Sequence, residues 1–271
     1  MKIPNMIYGT AWKKENTTDL VFEALKQGFK AVDTACQPRH YREDLVGFGL
    51  QKAYDNKIVK REDLFIQTKF TPIDGQDKNN MPYLESDKIE IQVEKSFETS
   101  KKNLKTNFID AYILHSPVYP GSKLQKVWQK MEGFVDASEV GYLGISNCYD
   151  LDVLVYIYNN ARIKPSIVQN RFYAQSGYDK EIRAFCNQND IKYESFWSLT
   201  ANPDILTSAI LQTLSQKYQR GVAEIFYRFL NHINITPLNG TTSTKHMIED
   251  LKIGEFELLD IEIKEIYKLL D

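Results

Sequence analysis

Cysteine is scarce in this chain of 271 residues: Cys36, Cys148 and Cys186 are the only three, far apart and without a CxxC pair. An odd number at such spacing excludes a disulfide framework and a thiolate zinc site, and fits a reducing, cytoplasmic setting. Long apolar runs are also lacking. None approaches the ~20 residues that a bilayer-crossing helix needs, and charged and polar residues follow Met1 almost at once, where a secretory signal would be apolar. No membrane partner is expected. Neither sign of charge dominates: 34 Lys and Arg stand against 36 Asp and Glu, a net charge of -2, so nucleic acid is not expected as a partner either. There is no Pro/Gly/Ser-rich linker, no GxxxxGK[ST] phosphate loop, no HExxH pair and no evident metal site. Gly47-Phe48-Gly49 lacks the third glycine of a dinucleotide fingerprint and sits inside a helical pattern.

What is present is a rhythm. Hydrophobic residues make up 42% and charged residues 26% of the chain, an ordinary globular balance. Short apolar runs alternate with helical stretches. The runs are Met6-Ile7-Tyr8, Phe29 to Val32, Leu64 to Thr68, Phe108 to Leu114, Tyr142 to Ile145, Ser166 to Val168, Ile191 to Phe196 and Ile233 to Ile235. Leu20, Ala24 and Leu25 mark a helix that Gly28 would cap. Ile89, Val93 and Phe97 mark another, with Ser86 as its expected N-cap. A mostly apolar helix is expected over Val222 to Ile233, and a last one over 260–270. Strand and helix alternating throughout predict parallel strands.

Eight such units either close a barrel or open into a doubly wound sheet, and periodicity alone does not choose. Position favours the barrel. Asp33, Lys69, His115, Ser146 with Asn147, and Gln169 cluster at the ends of apolar runs, which in a barrel converge on one mouth. The expected fold is a single-domain α/β (β/α)8 TIM-type barrel over residues 1–271.

Several motifs lie in order along the chain: GTAW at the first run, AVDTA at 31–35, HYREDLVG at 40–47, LFIQTKF at 64–70, NFIDAYILHSP at 107–117, GYLGISN at 141–147 and IVQNRFY at 167–173. Together they resemble the aldo-keto reductase superfamily. The resemblance implies a nicotinamide cofactor, a small-molecule carbonyl substrate, a monomer, and a catalytic set of Asp33, Tyr41, Lys69 and His115. The chemistry explains the set. Hydride attack on a carbonyl builds negative charge on oxygen, and a proton must reach it. A phenol near a lysine ammonium becomes a better acid, Asp33 would orient Lys69, and His115 would donate to the carbonyl oxygen. The tyrosine departs from the family spacing of five residues after the aspartate, where Pro38 stands. An ungapped count back from Val46-Gly47 puts His40 at the tyrosine position, and a one-residue gap puts Tyr41 there. Tyr41 is assigned as the acid, with His40 as the alternative.

The resemblance also implies a cofactor site. Ser146, Asn147 and Gln169 would bind the carboxamide, Phe196 would stack on the nicotinamide, and Thr10 and Asp33 would approach its ribose. Ser198 and Leu199 lie where the family contacts the pyrophosphate. Leu238 replaces the lysine that usually meets a 2′-phosphate. Asn239, Thr241, Thr242, Ser243, Lys245, His246, Glu249 and Asp250 surround the adenosine end, where the threonines, Ser243 and Lys245 suit a phosphate at a helix N-terminus. NADPH is the expected cofactor, with NADH not excluded. Trp12, Tyr41, His115 and Trp197 would line the substrate pocket. Ser116 in place of a tryptophan, and no long C-terminal loop, imply an open site with loose specificity for aldehydes or ketones. Singly, each residue has a plainer reading: Ser146-Asn147 resembles a helix N-cap, and Lys69 a snorkelling surface lysine. Two other functions remain: a Schiff-base aldolase with Lys69 as nucleophile, and a nicotinamide-binding sensor or regulatory subunit with little turnover.

Overall fold

The computed structural model describes residues 3–270; residues 1, 2 and 271 of the expected unit lie outside the described residues. Eight parallel strands close into one barrel in chain order: β1 Ile7–Gly9, β2 Ala31–Asp33, β3 Phe65–Phe70, β4 Ile109–Leu114, β5 Val140–Ser146, β6 Ile167–Arg171, β7 Lys192–Phe196 and β8 Ile235–Asn239. Closure is between β1 and β8, where Ile7 pairs with Leu238 and Tyr8 with Asn239. Around the barrel run α1 Thr17–Gln27, α2 Glu43–Asp55, α3 Ile89–Leu104, α4 Gly121–Asp136, α5 Leu151–Asn160, α6 Lys180–Gln188, α7 Pro203–Leu206, α8 Ala209–Tyr218, α9 Val222–His232, α10 Thr244–Leu251 and α11 Asp260–Tyr267. No helix is long and apolar enough to cross a membrane among the described residues.

The side-chain period of two makes two cores. Along β3, Ile66 and Phe70 face the helices and join the large outer core, whereas Phe65 faces the axis and joins Ile7, Ala31, Ala111, Ile113, Ile167 and Leu238. In the outer core Phe97 stacks on Phe134 at 4.0 Å, with Tyr112 edge-on to both. Higher along the axis the inner residues turn polar: Asp33, Gln67, Lys69, Gln169 and Glu194 are all buried. The apolar plug thus supports a polar layer just below the mouth.

Two glycines have identifiable work. Gly28 ends α1 at φ 120° and donates to the carbonyls of Ala24 and Leu25, as the sequence led one to expect. Gly47 lets α2 meet the end of α3: a Cβ there would lie 1.8 Å from the Asn103 carbonyl oxygen. The Gly47-Phe48-Gly49 run is therefore a packing feature of a helix.

Four local expectations are corrected. The eighth strand is Ile235–Asn239, not 233–235, because Ile233 caps α9 and Asn234 turns through φ 61°. Ser86 is not the N-cap of α3. Lys88 holds that place without a side-chain cap, and Asp87 instead accepts from the Leu84 amide. Ser146-Asn147 does not cap α5, since Asp150 does, accepting from the Asp152 amide. Strands β2, β3, β5 and β6 run beyond their expected ends, so Asp33, Lys69, Ser146 and Gln169 lie in strands, not after them.

Candidate active site

A cavity of about 900 Å³ opens at the C-terminal ends of the strands. Asp33 and Lys69 form a fully buried ion pair beside it, Nζ to Oδ1 2.6 Å, and Lys69 also donates to the Thr34 carbonyl at 2.9 Å. Neighbouring strands in parallel register place them: Asp33 pairs with Gln67 across β2 and β3, and Lys69 is two residues on, on the same face. Lys69 is 1% exposed, which removes the reading of a snorkelling surface lysine.

Tyr41 lies above this pair. Its ring centroid is 5.5 Å from Lys69 Nζ and 6.0 Å from the His115 ring. The unusual spacing after Asp33 is taken up by a tight turn: the Gln37 carbonyl accepts from the amides of His40 and Tyr41, with Pro38 fixing the backbone at its start. That turn carries Tyr41 inward and leaves His40 at the rim, its ring on Trp12 at 4.1 Å. The Tyr41 hydroxyl has no hydrogen-bond partner among the described residues, and burial, aided by the Asp33 carboxylate, pushes its pKa up. The Lys69 ammonium lies against the ring without a hydrogen bond to the hydroxyl, so burial outweighs its pull toward phenolate.

His115 follows β4, and its Nδ1 lies 2.6 Å from Thr71 Oγ1. Where the Thr71 O–H donates to Nδ1, Nε2 carries the ring hydrogen and is the free donor. Burial, then the charges of Lys69 and His40, hold His115 well below the usual imidazole range and therefore neutral. Asn147 Nδ2 donates to the His115 carbonyl at 2.8 Å and fixes the backbone there.

On the other side Ser146, Asn147, Gln169 and Phe196 line the cavity together. The Gln169 amide nitrogen donates to Asp33 and Glu194. Its carbonyl oxygen has no partner among the described residues and is not enclosed. The Ser146 hydroxyl accepts from Asn147 and keeps its own hydrogen to donate. A donor and an acceptor beside an aromatic face match the carboxamide of a nicotinamide ring, so the residues present fit that group. Trp12, Asn147 and Trp197 adopt φ of 64°, 51° and 56°. Such backbone strain in non-glycine residues collects at functional sites.

The other expected residues divide. Trp12, Trp197, Ser198, Leu199, Asn239, Thr241, His246, Glu249 and Asp250 line the cavity. Thr10, Thr242, Ser243 and Lys245 do not. The Thr10 hydroxyl is buried and donates to the Asp33 carbonyl, which removes it from any ribose. Ser243 caps α10 by accepting from the His246 amide, and Lys245 points out to solvent beside Glu249 at 3.6 Å. Asp250 takes the Asn239 amide and is pushed up to about 7 by burial and by the Glu224 carboxylate.

Several residues escaped the sequence reading. Thr71 orients His115, Lys13 donates to the Gly240 carbonyl across the rim, and the Arg171 guanidinium lies 4.4 Å over the Trp197 ring. Gln67 and Glu194 complete the layer under Asp33. The signal for Glu194 was a charge inside an apolar run, and none marked Thr71.

The family model for the Aldo/keto reductase family matches residues 5–271. The chain belongs to the aldo-keto reductase family. It is an NAD(P)H-dependent oxidoreductase of the carbonyl-reducing kind. It is 25% identical to the NAD(P)H-dependent D-xylose reductase of Pachysolen tannophilus, over 99% of this chain and 90% of that protein. It is 26% identical to the glyoxal reductase of Bacillus subtilis (strain 168), over 94% of this chain and 85% of that one. The solved structure of a Bombyx mori aldo-keto reductase in complex with NADP shares the fold, with a TM-score of 0.81 and 23% identity, over 98% of this chain and 89% of that one.

Proposed function

We propose that the protein reduces small aldehydes or ketones to alcohols, with Tyr41 as the proton donor and with Asp33, Lys69 and His115 completing the catalytic set. The observation that carries this reading is one juxtaposition. A phenol and an imidazole share the cavity above a buried Asp33–Lys69 pair, with Ser146 and Gln169 also lining it. A bound reduced nicotinamide supplies the hydride. His115 donates a hydrogen bond to the carbonyl oxygen and sets its position, and Tyr41 passes its proton to that oxygen as charge develops. Lys69 gives the emerging phenolate a positive neighbour, and Asp33 holds Lys69 in place.

NADPH is the proposed cofactor, with NADH as the alternative. Thr241, His246 and Asn239 would meet its adenosine end, with Thr242, Ser243 and Lys245 in the turn that starts α10. The open mouth between Trp12 and Trp197 supports loose specificity. A cytoplasmic monomer formed by the one unit 1–271 completes the proposal. The aldolase alternative asks for a lysine free to attack, and the buried, doubly hydrogen-bonded Lys69 supports the reductase instead.

The test follows the loss of reduced-nicotinamide absorbance with a reactive aromatic aldehyde. Tyr41→Phe is expected to lower turnover ~100-fold or more, and His40→Ala to leave it within about threefold. Full activity in Tyr41→Phe with loss in His40→Ala would move the acid to His40. Cofactor binding without turnover of any reactive carbonyl would put the sensor reading in its place.

A further inference from the structure

The layer beneath Asp33 holds a second carboxyl that the reaction as described does not use. Glu194 lies on β7, fully buried, on the axial face that Phe196 shares two residues on. Two side-chain amides bridge it to Asp33. Gln67 Nε2 donates to Asp33 Oδ1 at 2.9 Å and to Glu194 Oε2 at 2.8 Å. Gln169 Nε2 donates to the same two oxygens at 3.0 and 2.8 Å. All four amide hydrogens are consumed, so each glutamine has one orientation. For Gln169 that orientation leaves its carbonyl oxygen toward the cavity.

We infer that Glu194 is a positioning residue whose carboxylate charge, one amide group behind the Gln169 carbonyl, favours the oxidised, cationic nicotinamide ring over the reduced, neutral one. The inference rests on the proposed function, since it takes Ser146 and Gln169 as the carboxamide site. A negative charge stabilises a nearby positive ring and does nothing comparable for a neutral one. Few groups compete with it. Asp33 and Lys69 are the charged groups facing Glu194, from β2 and β3, and they neutralise one another. Its register neighbours are Gln169 on β6 and Thr236 on β8. The inner residues Ile7 of β1, Ile113 of β4 and Leu238 of β8 are apolar, and Tyr142 of β5 is stacked on Phe65.

The charge is also switchable. Burial, with Asp33 adding to it, pushes Glu194 up to about 7. Oε1 is buried without a partner, as is Gln67 Oε1, which suits a carboxyl that carries a proton for part of the neutral range. His115 stays neutral through that range. Asp250 also titrates there, but it lies with Asn239 and Glu224 at the far end of the cavity, where oxidised and reduced cofactors are chemically alike.

The test measures binding, not turnover: dissociation constants of oxidised and reduced cofactor by protein fluorescence, from about pH 6 to about pH 8.5. In the wild type the ratio of the oxidised to the reduced constant is expected to fall about tenfold as pH rises. That size is the order a unit charge exerts over about 12 Å at an effective dielectric near ~20. Glu194→Gln keeps an acceptor for both amides and removes the charge, so both forms should bind with a ratio flat in pH. A flat ratio in the wild type, or the same fall in Glu194→Gln, overturns the inference while leaving the reductase intact. Failure of the wild type to bind either form overturns the functional reading as well.

Discussion

Replacing Lys69 by methionine keeps the length of the side chain and removes the charge that Asp33 faces. Asp33 would lose a 2.6 Å ion pair at a site where the two side chains are 1% and 2% exposed, and the Thr34 carbonyl would lose its 2.9 Å donor. Stripping one partner from a buried pair costs roughly 3–5 kcal/mol. Here Asp33 keeps two amide donors, Gln67 and Gln169, which places its share at the low end. The orphaned carbonyl adds about 1 kcal/mol. A loss of about 4 kcal/mol is expected, a large part of a typical domain stability of ~5–15 kcal/mol. Urea unfolding followed by circular dichroism would read it as a lower midpoint at unchanged slope. The double variant Asp33→Asn with Lys69→Met removes the stranded charge and should regain about 2 kcal/mol, while turnover stays lost in both. A single variant within 1 kcal/mol of the wild type, or a double variant no more stable than the single, would refute the reasoning.

Gly47→Ala is expected to cost about 3 kcal/mol, because the new methyl meets a backbone carbonyl at 1.8 Å and α2 or α3 must shift; a thermal melt reads it. The proton affinity of Glu194 is raised on folding, from 4.5 to about 7, so its contribution is complete below about pH 4.5 and is lost as pH rises through about 7. Glu194 should therefore contribute about 3 kcal/mol to the fall of wild-type stability across that window, alongside Asp250, whose carboxyl is also raised to about 7, and Glu194→Gln should remove that share of the fall in a pH series of urea midpoints while Asp250's share remains. Thr71→Val removes the hydroxyl that holds the His115 ring through Nδ1. It should lower kcat about tenfold with cofactor dissociation constants unchanged, which steady-state kinetics beside fluorescence titration would separate.

Much of the site was legible because a parallel barrel leaves two marks on its sequence. Its strands are short apolar runs, and its chemistry sits where those runs end. Asp33, Lys69, His115, Ser146 and Gln169 all carry both marks. The signal failed where another principle controlled the backbone. Ile233 looks like the start of β8, yet it belongs to the cap of α9. Pro237 sits inside β8, where a residue with no amide hydrogen reads as the end of a strand. Thr10 has a side chain suited to a cofactor, but it is fully buried and donates to the Asp33 carbonyl, and a motif cannot show that. Gln67 and Glu194 were hidden for the opposite reason. A polar residue in a strand reads as solvent-facing, and only barrel closure turns these two toward each other across the axis.

The displaced tyrosine shows what the fold requires and what it tolerates. Nothing in the barrel fixes the number of residues between Asp33 and the proposed acid; it fixes the places where β2 ends and α2 begins. The extra residues are absorbed in the turn at Gln37, whose carbonyl ties both His40 and Tyr41. The phenol then arrives above Lys69 from a longer loop. Once there, its raised proton affinity is consistent with its proposed task. An acid that must deliver a proton late has to remain protonated until charge appears on the carbonyl oxygen, and the buried ammonium 5.5 Å from its ring is positioned to stabilise the phenolate only as it forms. A tyrosine already ionised at rest would have no proton to give. Burial that raises the phenol pKa therefore works with the Asp33–Lys69 pair, not against it.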